Sequence, residues 1–142
     1  MMRILLAVDG SACADRAARE VVALASALRE PPEIHLLYVH PPLPVGSAQA
    51  HVGHDDLQRY YREDSAPHLE GAERLLEAGA LTFTRHLHVG DAAAVIAHVA
   101  AELACTRIVL GCVGRSAVAD AVLGSVAHSV VRRAPCPVLL VK

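Results

Sequence analysis

The chain has no tryptophan and one phenylalanine, and Lys142 is its only lysine. With aromatic residues at 3% there are too few rings for the base-stacking platforms of single-strand binders, and a formal net charge of −2 leaves no basic footprint for DNA or RNA. A nucleic-acid partner is disfavoured. No apolar run reaches the roughly 18 to 20 residues needed to cross a bilayer, and Met1 to Asp9 is a short β-like run closed by an acid rather than a signal peptide. The four cysteines, Cys13, Cys105, Cys112 and Cys136, show neither a CxxC pair nor zinc-finger spacing. A reduced, cytoplasmic protein follows, with the cysteines serving as small buried hydrophobes.

What is present is aliphatic. Of 142 residues 54% are hydrophobic, largely Ala, Val and Leu, enough for one domain over residues 1–142 with a closely packed core. Arg3 to Val8 reads as a strand buried on both faces, closed by a turn at Asp9-Gly10-Ser11. Ser11 is placed to cap a helix from Ala12 to Arg29, on which Ala17, Val21, Leu24, Ala25 and Leu28 form the apolar stripe. Pro31-Pro32 ends it, and Glu33 to Val39 is a second strand. His40 to Asp55, rich in Pro and Gly, is a long loop. Asp56 to Ala78 has helical composition, but Pro67 leaves open either a kinked helix or two helices with Ser65 capping the second. Leu81 to Val89 is a third strand, Ala92 to Cys105 a helix, Arg107 to Leu110 a fourth strand, Val126 to Arg133 a last helix and Val138 to Val141 a fifth strand. Alternation of this kind means parallel βαβ units and a doubly wound α/β sheet.

In such sheets a ligand sits at the carboxyl ends of strands, where the strand order reverses. With strands one and four adjacent the order is 3-2-1-4-5, and Asp9-Gly10-Ser11 faces the loop that begins at Gly111. That loop reads GCVGRSAVADAVLGSV. Gly111 and Gly114 allow close backbone approach, and Gly124-Ser125 opens a helix with free N–H groups and a hydroxyl, the outline of a phosphate cradle. Asp9 suits ribose hydroxyls, or alternatively an Asx turn at the strand-to-helix corner, and Val39 offers an apolar wall.

The pattern Gly-x2-Gly-x9-Gly-Ser, the early V-D-G-S and the closing A-P-C-P-V-L-L-V resemble the universal stress protein family from Arg3 to Lys142. The resemblance implies a Rossmann-like, flavodoxin-like homodimer that holds ATP. It places Asp9 on the ribose or adenine, the backbone near Ala7 and Val39 along the adenine, and Gly111, Gly114, Gly124, Ser125 and Val126 on the phosphates, with Arg115 the nearest cation. Two positions depart from the family pattern: Ala7 stands where Pro is common, and Asp120 where a basic residue is common. A carboxylate near a triphosphate implies weaker binding or dependence on Mg²⁺. GxxxxGK[ST] is absent, so binding with at most slow hydrolysis is expected, and a scaffold that uses the glycines only as turns is the alternative.

Nine histidines raise the question of a metal. His40, His51 and His54 fall in or beside the long loop, and His86 and His88 share one strand face; these are expected to be solvated rather than ligands. The last strand, VLLV, is expected at a sheet edge and to pair with its mate in a two-fold dimer.

Overall fold

The computed structural model describes residues 1–44, 53–114 and 123–142. β1 (Arg3–Ala7), β2 (Glu33–His40), β3 (Thr84–Val89), β4 (Arg107–Gly111) and β5 (Val138–Val141) form a parallel five-stranded sheet in the order β3-β2-β1-β4-β5. The aliphatic runs of β1 and β4, at the middle of the sheet, are strands buried on both faces, while β3 at one edge, TRHLHV, is mostly polar and partly exposed. Alternation along β1 sends Ile4 and Leu6 to one face, and Leu5 and Ala7 to the other. The first face packs on α1 (Ala12–Ser26) and α2 (His54–Ala78), through Ala17, Ala18, Val21, Leu69 and Leu76. The second packs on α3 (Ala92–Glu102) and α4 (Ser125–Arg133), through Ile96, Val99, Ala100 and Val130. The small residues on α1 and α3 let helix backbone come close to the sheet.

Helix starts follow the expected chemistry. The Ser11 hydroxyl accepts the Ala14 N–H at 3.1 Å, and the Asp91 carboxylate accepts that of Ala94 at 3.1 Å. Helix ends come sooner than the apolar stripes suggest: α1 closes at Ser26 rather than Arg29, and α3 at Glu102 rather than Cys105. Ala104 has φ 50°, a left-handed turn that stops α3 before Thr106 pairs with Arg3. The third strand likewise starts at Thr84, not Leu81, while the second gains His40.

Pro67 neither breaks nor divides α2, which runs unbroken from His54 to Ala78, so Ser65 caps nothing. The reason is orientation. Pro67 and Glu63, whose carbonyl loses its helical donor, are both exposed, where water can meet that oxygen. Leu69, Ala72 and Leu76 beyond the proline stay buried against the sheet. Ser65 is instead fully buried, with an Oγ that finds no hydrogen-bond partner among the described residues. Ser65→Ala removes that desolvated hydroxyl and improves helix propensity, so it should stabilise the fold by about 1 kcal/mol. The check is the urea midpoint: it rises at unchanged slope, and a fall would show that the hydroxyl is satisfied.

Candidate functional site

The register of the sheet brings the relevant strand ends level. Ala7 lies beside Leu37 of β2 and Leu110 of β4, and Val8 extends the ladder by donating its N–H to Leu37 at 2.9 Å. β1 and β4 are neighbours whose crossovers leave to opposite faces, so a crevice opens where the order reverses. It forms a cavity of about 690 Å³, within the range of small-molecule sites.

The floor of the cavity is apolar, with Ala7, Leu37 and Val39 from the strand ends and Ile96 from α3. Its rim is the pair of loops singled out in the sequence. Asp9 holds the first, its Oδ1 accepting the Ser11 N–H at 3.0 Å in an Asx turn. The second is drawn together at its two ends by the Gly124 N–H, which donates to Cys112 at 2.6 Å. A side chain at Gly114 would place its Cβ 2.7 Å from Asp9 Oδ2, so the two loops approach as closely as glycine allows. α4 starts here, and unlike α1 and α3 it has no side-chain cap. Its first N–H groups therefore look for an acceptor that is not supplied by a capping side chain.

Ala7, Asp9, Val39, Gly111, Gly114, Gly124, Ser125 and Val126 all line this one cavity. Arg115, the remaining candidate, lies outside the described residues, as does Asp120. Among the described lining residues Asp9 is the only charged side chain. An anion here would meet backbone N–H groups and a helix N-terminus before any cation. Sequence reasoning missed Ala92 and Ile96 of α3 as lining residues. The turn at Gly90-Asp91 held the signal, since it starts α3 at the same end of the sheet as the two loops.

Compared with known proteins, the whole chain, residues 1–142, matches the family model described as the universal stress protein family. The chain belongs to that family. A universal stress protein from Thermus aquaticus, encoded in the QAH/OAS sulfhydrylase 3′ region, is 38% identical over 144 residues, covering 98% of this chain and 97% of that protein. Among solved structures, the hypothetical protein MJ0577 is similar with a TM-score of 0.83 and 25% identity, over 99% of this chain and 95% of that one. A universal stress protein from Archaeoglobus fulgidus, solved in complex with dAMP, is similar with a TM-score of 0.67 and 25% identity, over 100% of this chain and 98% of that one.

Two histidines of this universal stress protein, His40 and His86, differ from expectation; His54 is exposed, and His51 lies outside the described residues. His40 is not a solvated loop residue: it is the buried last residue of β2, because the strand runs one residue further and turns the ring beneath α2. His86 pairs across strands with buried His35 rather than along its own strand with His88, Nε2 lying 2.9 Å from His35 Nδ1. His35 Nε2 in turn donates to Glu33 at 2.9 Å, which holds the Glu33 carboxyl below its usual range, helped by Arg3. Burial, then the neighbouring His35 and His88, pushes His86 below the ordinary histidine value. Among the described residues no group of three or more His, Cys, Asp or Glu side chains is arranged to hold a metal ion. Cys13, Cys105 and Cys112 are buried and Cys136 is half-buried. Burial pushes the Cys105 thiol up to about 11, with the Cys136 charge adding to it, so it is a packing group rather than a nucleophile. No described helix is long and apolar enough to cross a membrane.

Proposed function

We propose that this chain is an adenine-nucleotide-binding universal stress protein, one domain over residues 1–142, that holds ATP at the carboxyl ends of β1 and β4. The observation that carries the reading is the convergence, in one cavity, of an apolar floor with a glycine-lined, uncapped helix start. The first suits a purine, and the second suits its phosphates. In this reading Val39 and the backbone near Ala7 flank the base, Asp9 faces the ribose, and Gly111, Gly114, Gly124, Ser125 and Val126 surround the phosphates. The dAMP complex of the Archaeoglobus fulgidus relative supports the adenine class.

The protein is read as a nucleotide-sensing binder in the cytoplasmic stress response, with hydrolysis at most slow. Asp9 is tied to Ser11 by hydrogen bonding, and the chain has no Walker lysine to set a γ-phosphate for attack. Its assembly is read as a homodimer through β5, an edge strand whose four residues are all half-buried within one chain.

Arg115 is the nearest cation in the glycine loop's sequence, and Asp120 stands in the same stretch. A carboxylate there needs a divalent ion between it and a triphosphate, so Mg²⁺ should accompany ATP. Calorimetry with and without chelator is the test. ATP affinity should fall by about tenfold or more, roughly 1.4 kcal/mol, when Mg²⁺ is removed. Tight binding in its absence would count against the metal-bridged form, and no binding in either condition would favour the scaffold.

A further inference from the structure

One carbonyl oxygen of the edge strand β5 ties together the segments that follow β1 and β4. Val141, the last residue of β5, pairs with Gly111 of β4, and its oxygen accepts the Cys112 N–H at 2.7 Å. The same oxygen accepts from the Cys13 thiol at 3.6 Å, in the first turn of α1. One residue further on, Arg16 Nε donates to the Lys142 carbonyl oxygen at 2.7 Å, and a second guanidinium nitrogen donates to Cys13 Sγ at 3.1 Å. The end of β5 is thus fastened twice, to the exit of β4 and to the start of α1.

Both fastenings lead to the cavity. Cys112 lines it, and the Cys112 carbonyl oxygen accepts the Gly124 N–H at 2.6 Å, at the uncapped start of α4. α1 begins at Ser11, a lining residue whose N–H is held by Asp9. A ligand that bridges Gly124 and the Ser11 corner therefore fixes Cys112 and Cys13 and, through them, Val141. The outer edge of β5 faces away from the sheet. The carbonyls of Pro137 and Val141 accept from Ile108 and Cys112, so they point towards β4. By alternation Val138 and Leu140 turn their backbone N–H and C=O groups outwards. These are the groups that a second copy meets in the homodimer reading, since β5 ends the sheet.

We propose that the nucleotide and a second copy of this chain are coupled ligands: filling the cavity strengthens pairing through β5, and pairing strengthens the hold on the nucleotide. This rests on the nucleotide-binding and homodimer readings and adds a regulation to them. A strand of four residues at a sheet edge frays at its end unless it is held, and a partner that pairs with it must meet the cost of ordering it. With Cys112 already fixed by a ligand, much of that cost is met beforehand, so the second binding event is stronger. No displacement of the sheet is needed. Linkage makes the effect reciprocal. Arg16 contributes from outside the cavity: its side chain is exposed, it is not a lining residue, and it closes the fastening of Lys142 on α1.

The test is sedimentation equilibrium of the full chain with and without saturating Mg-ATP. The dimer dissociation constant should fall about fivefold or more when ATP is bound. Hydrogen exchange on the dilute, monomeric chain gives a second readout. ATP should slow exchange of the Leu139 and Val141 amides, and because neither residue lines the cavity, direct shielding by the ligand does not account for it. Arg16→Ala should bind ATP as a monomer within about twofold of wild type, as exposed substitutions do. Its dimer constant, however, should respond less to ATP than that of wild type, and Arg16→Lys, which keeps a cationic donor, should restore part of the response. A dimer constant that is the same with and without bound ATP, or β5 amides indifferent to ATP, overturns the proposal. A chain that binds ATP but stays monomeric at every concentration overturns it together with the homodimer reading, and leaves the nucleotide reading standing. A dimer that binds no ATP overturns the nucleotide reading, and with it the coupling.

Discussion

Gly114→Leu is expected to abolish ATP binding while leaving the fold standing. A Cβ at residue 114 would lie 2.7 Å from Asp9 Oδ2, a separation real Cβ atoms do not show, so the Asp9 carboxylate must swing away. Its Oδ1 bond to the Ser11 N–H, at 3.0 Å, is lost with it. The rest of the leucine enters the cavity where both loops meet, in the space assigned here to ribose and phosphate. The backbone itself is not strained, because Gly114 is not among the positive-φ glycines. Nor does the residue belong to a strand or helix. Stability should therefore stay within about 1 kcal/mol of wild type. Affinity should fall by about a hundredfold or more, roughly 3 kcal/mol. Calorimetry alongside thermal unfolding separates the two quantities. A folded variant that binds ATP as wild type does would mean that the glycines serve the turn alone, and the scaffold reading would take the place of the nucleotide site.

Most of the sheet is legible in the sequence because β1, β4 and β5 are aliphatic runs too short for a helix, whereas β3, TRHLHV, is mostly polar and starts at Thr84, three residues later than the sequence pattern suggests. Val138 to Val141 and Arg107 to Leu110 show this, their limits falling within a residue of the observed ones. The site is legible for a different reason. Ligand loops of a doubly wound sheet must follow β1 and β4, so Asp9, Gly111, Gly114 and Gly124 are brought together by topology alone. What cannot be read is whatever depends on the direction a side chain takes. Pro67 in a helical stretch has opposite consequences on an exposed and on a buried face, and sequence spacing does not say which it occupies. His40 looks like the start of a polar, proline-rich loop, and only the packing of α2 over β2 surrounds it with Tyr60 and Tyr61 and sets Asp64 on its Nε2. His86 likewise shares a face with His88 by alternation, but the pairing of β2 with β3 gives it a nearer partner in His35. Long-range register and helix rotation decide these contacts, and neither has a local signature.

Gly111→Val should be the most destabilising substitution in the glycine loop, and for a reason unrelated to ligand. A Cβ there would sit 2.8 Å from the Cys13 Cβ and 2.9 Å from the Cys13 carbonyl carbon. Both belong to the first turn of α1, one of them to its backbone, so no flexible side-chain end can yield. α1 would have to lift from β4, and its buried face, Ala14, Ala17, Ala18 and Val21, would lift with it. Overpacking of a fixed backbone contact costs about 3 kcal/mol, a large part of the roughly 5 to 15 kcal/mol that holds a domain folded. Gly111→Ala should act in the same direction by a smaller amount, since the first carbon already makes the clash and valine adds bulk to it. Urea unfolding of both variants is the measurement, and an unchanged midpoint for Gly111→Val would show that α1 can shift freely on the sheet. The contrast with Gly114 bears on function. On the proposed reading, loss of ATP binding at residue 111 would follow from displacement of α1 and the Ser11 corner, whereas loss at residue 114 would follow from occupation of the cavity. Two glycines of one motif therefore act on different links, the first through packing of helix on strand and the second through the open space of the cavity beside Asp9.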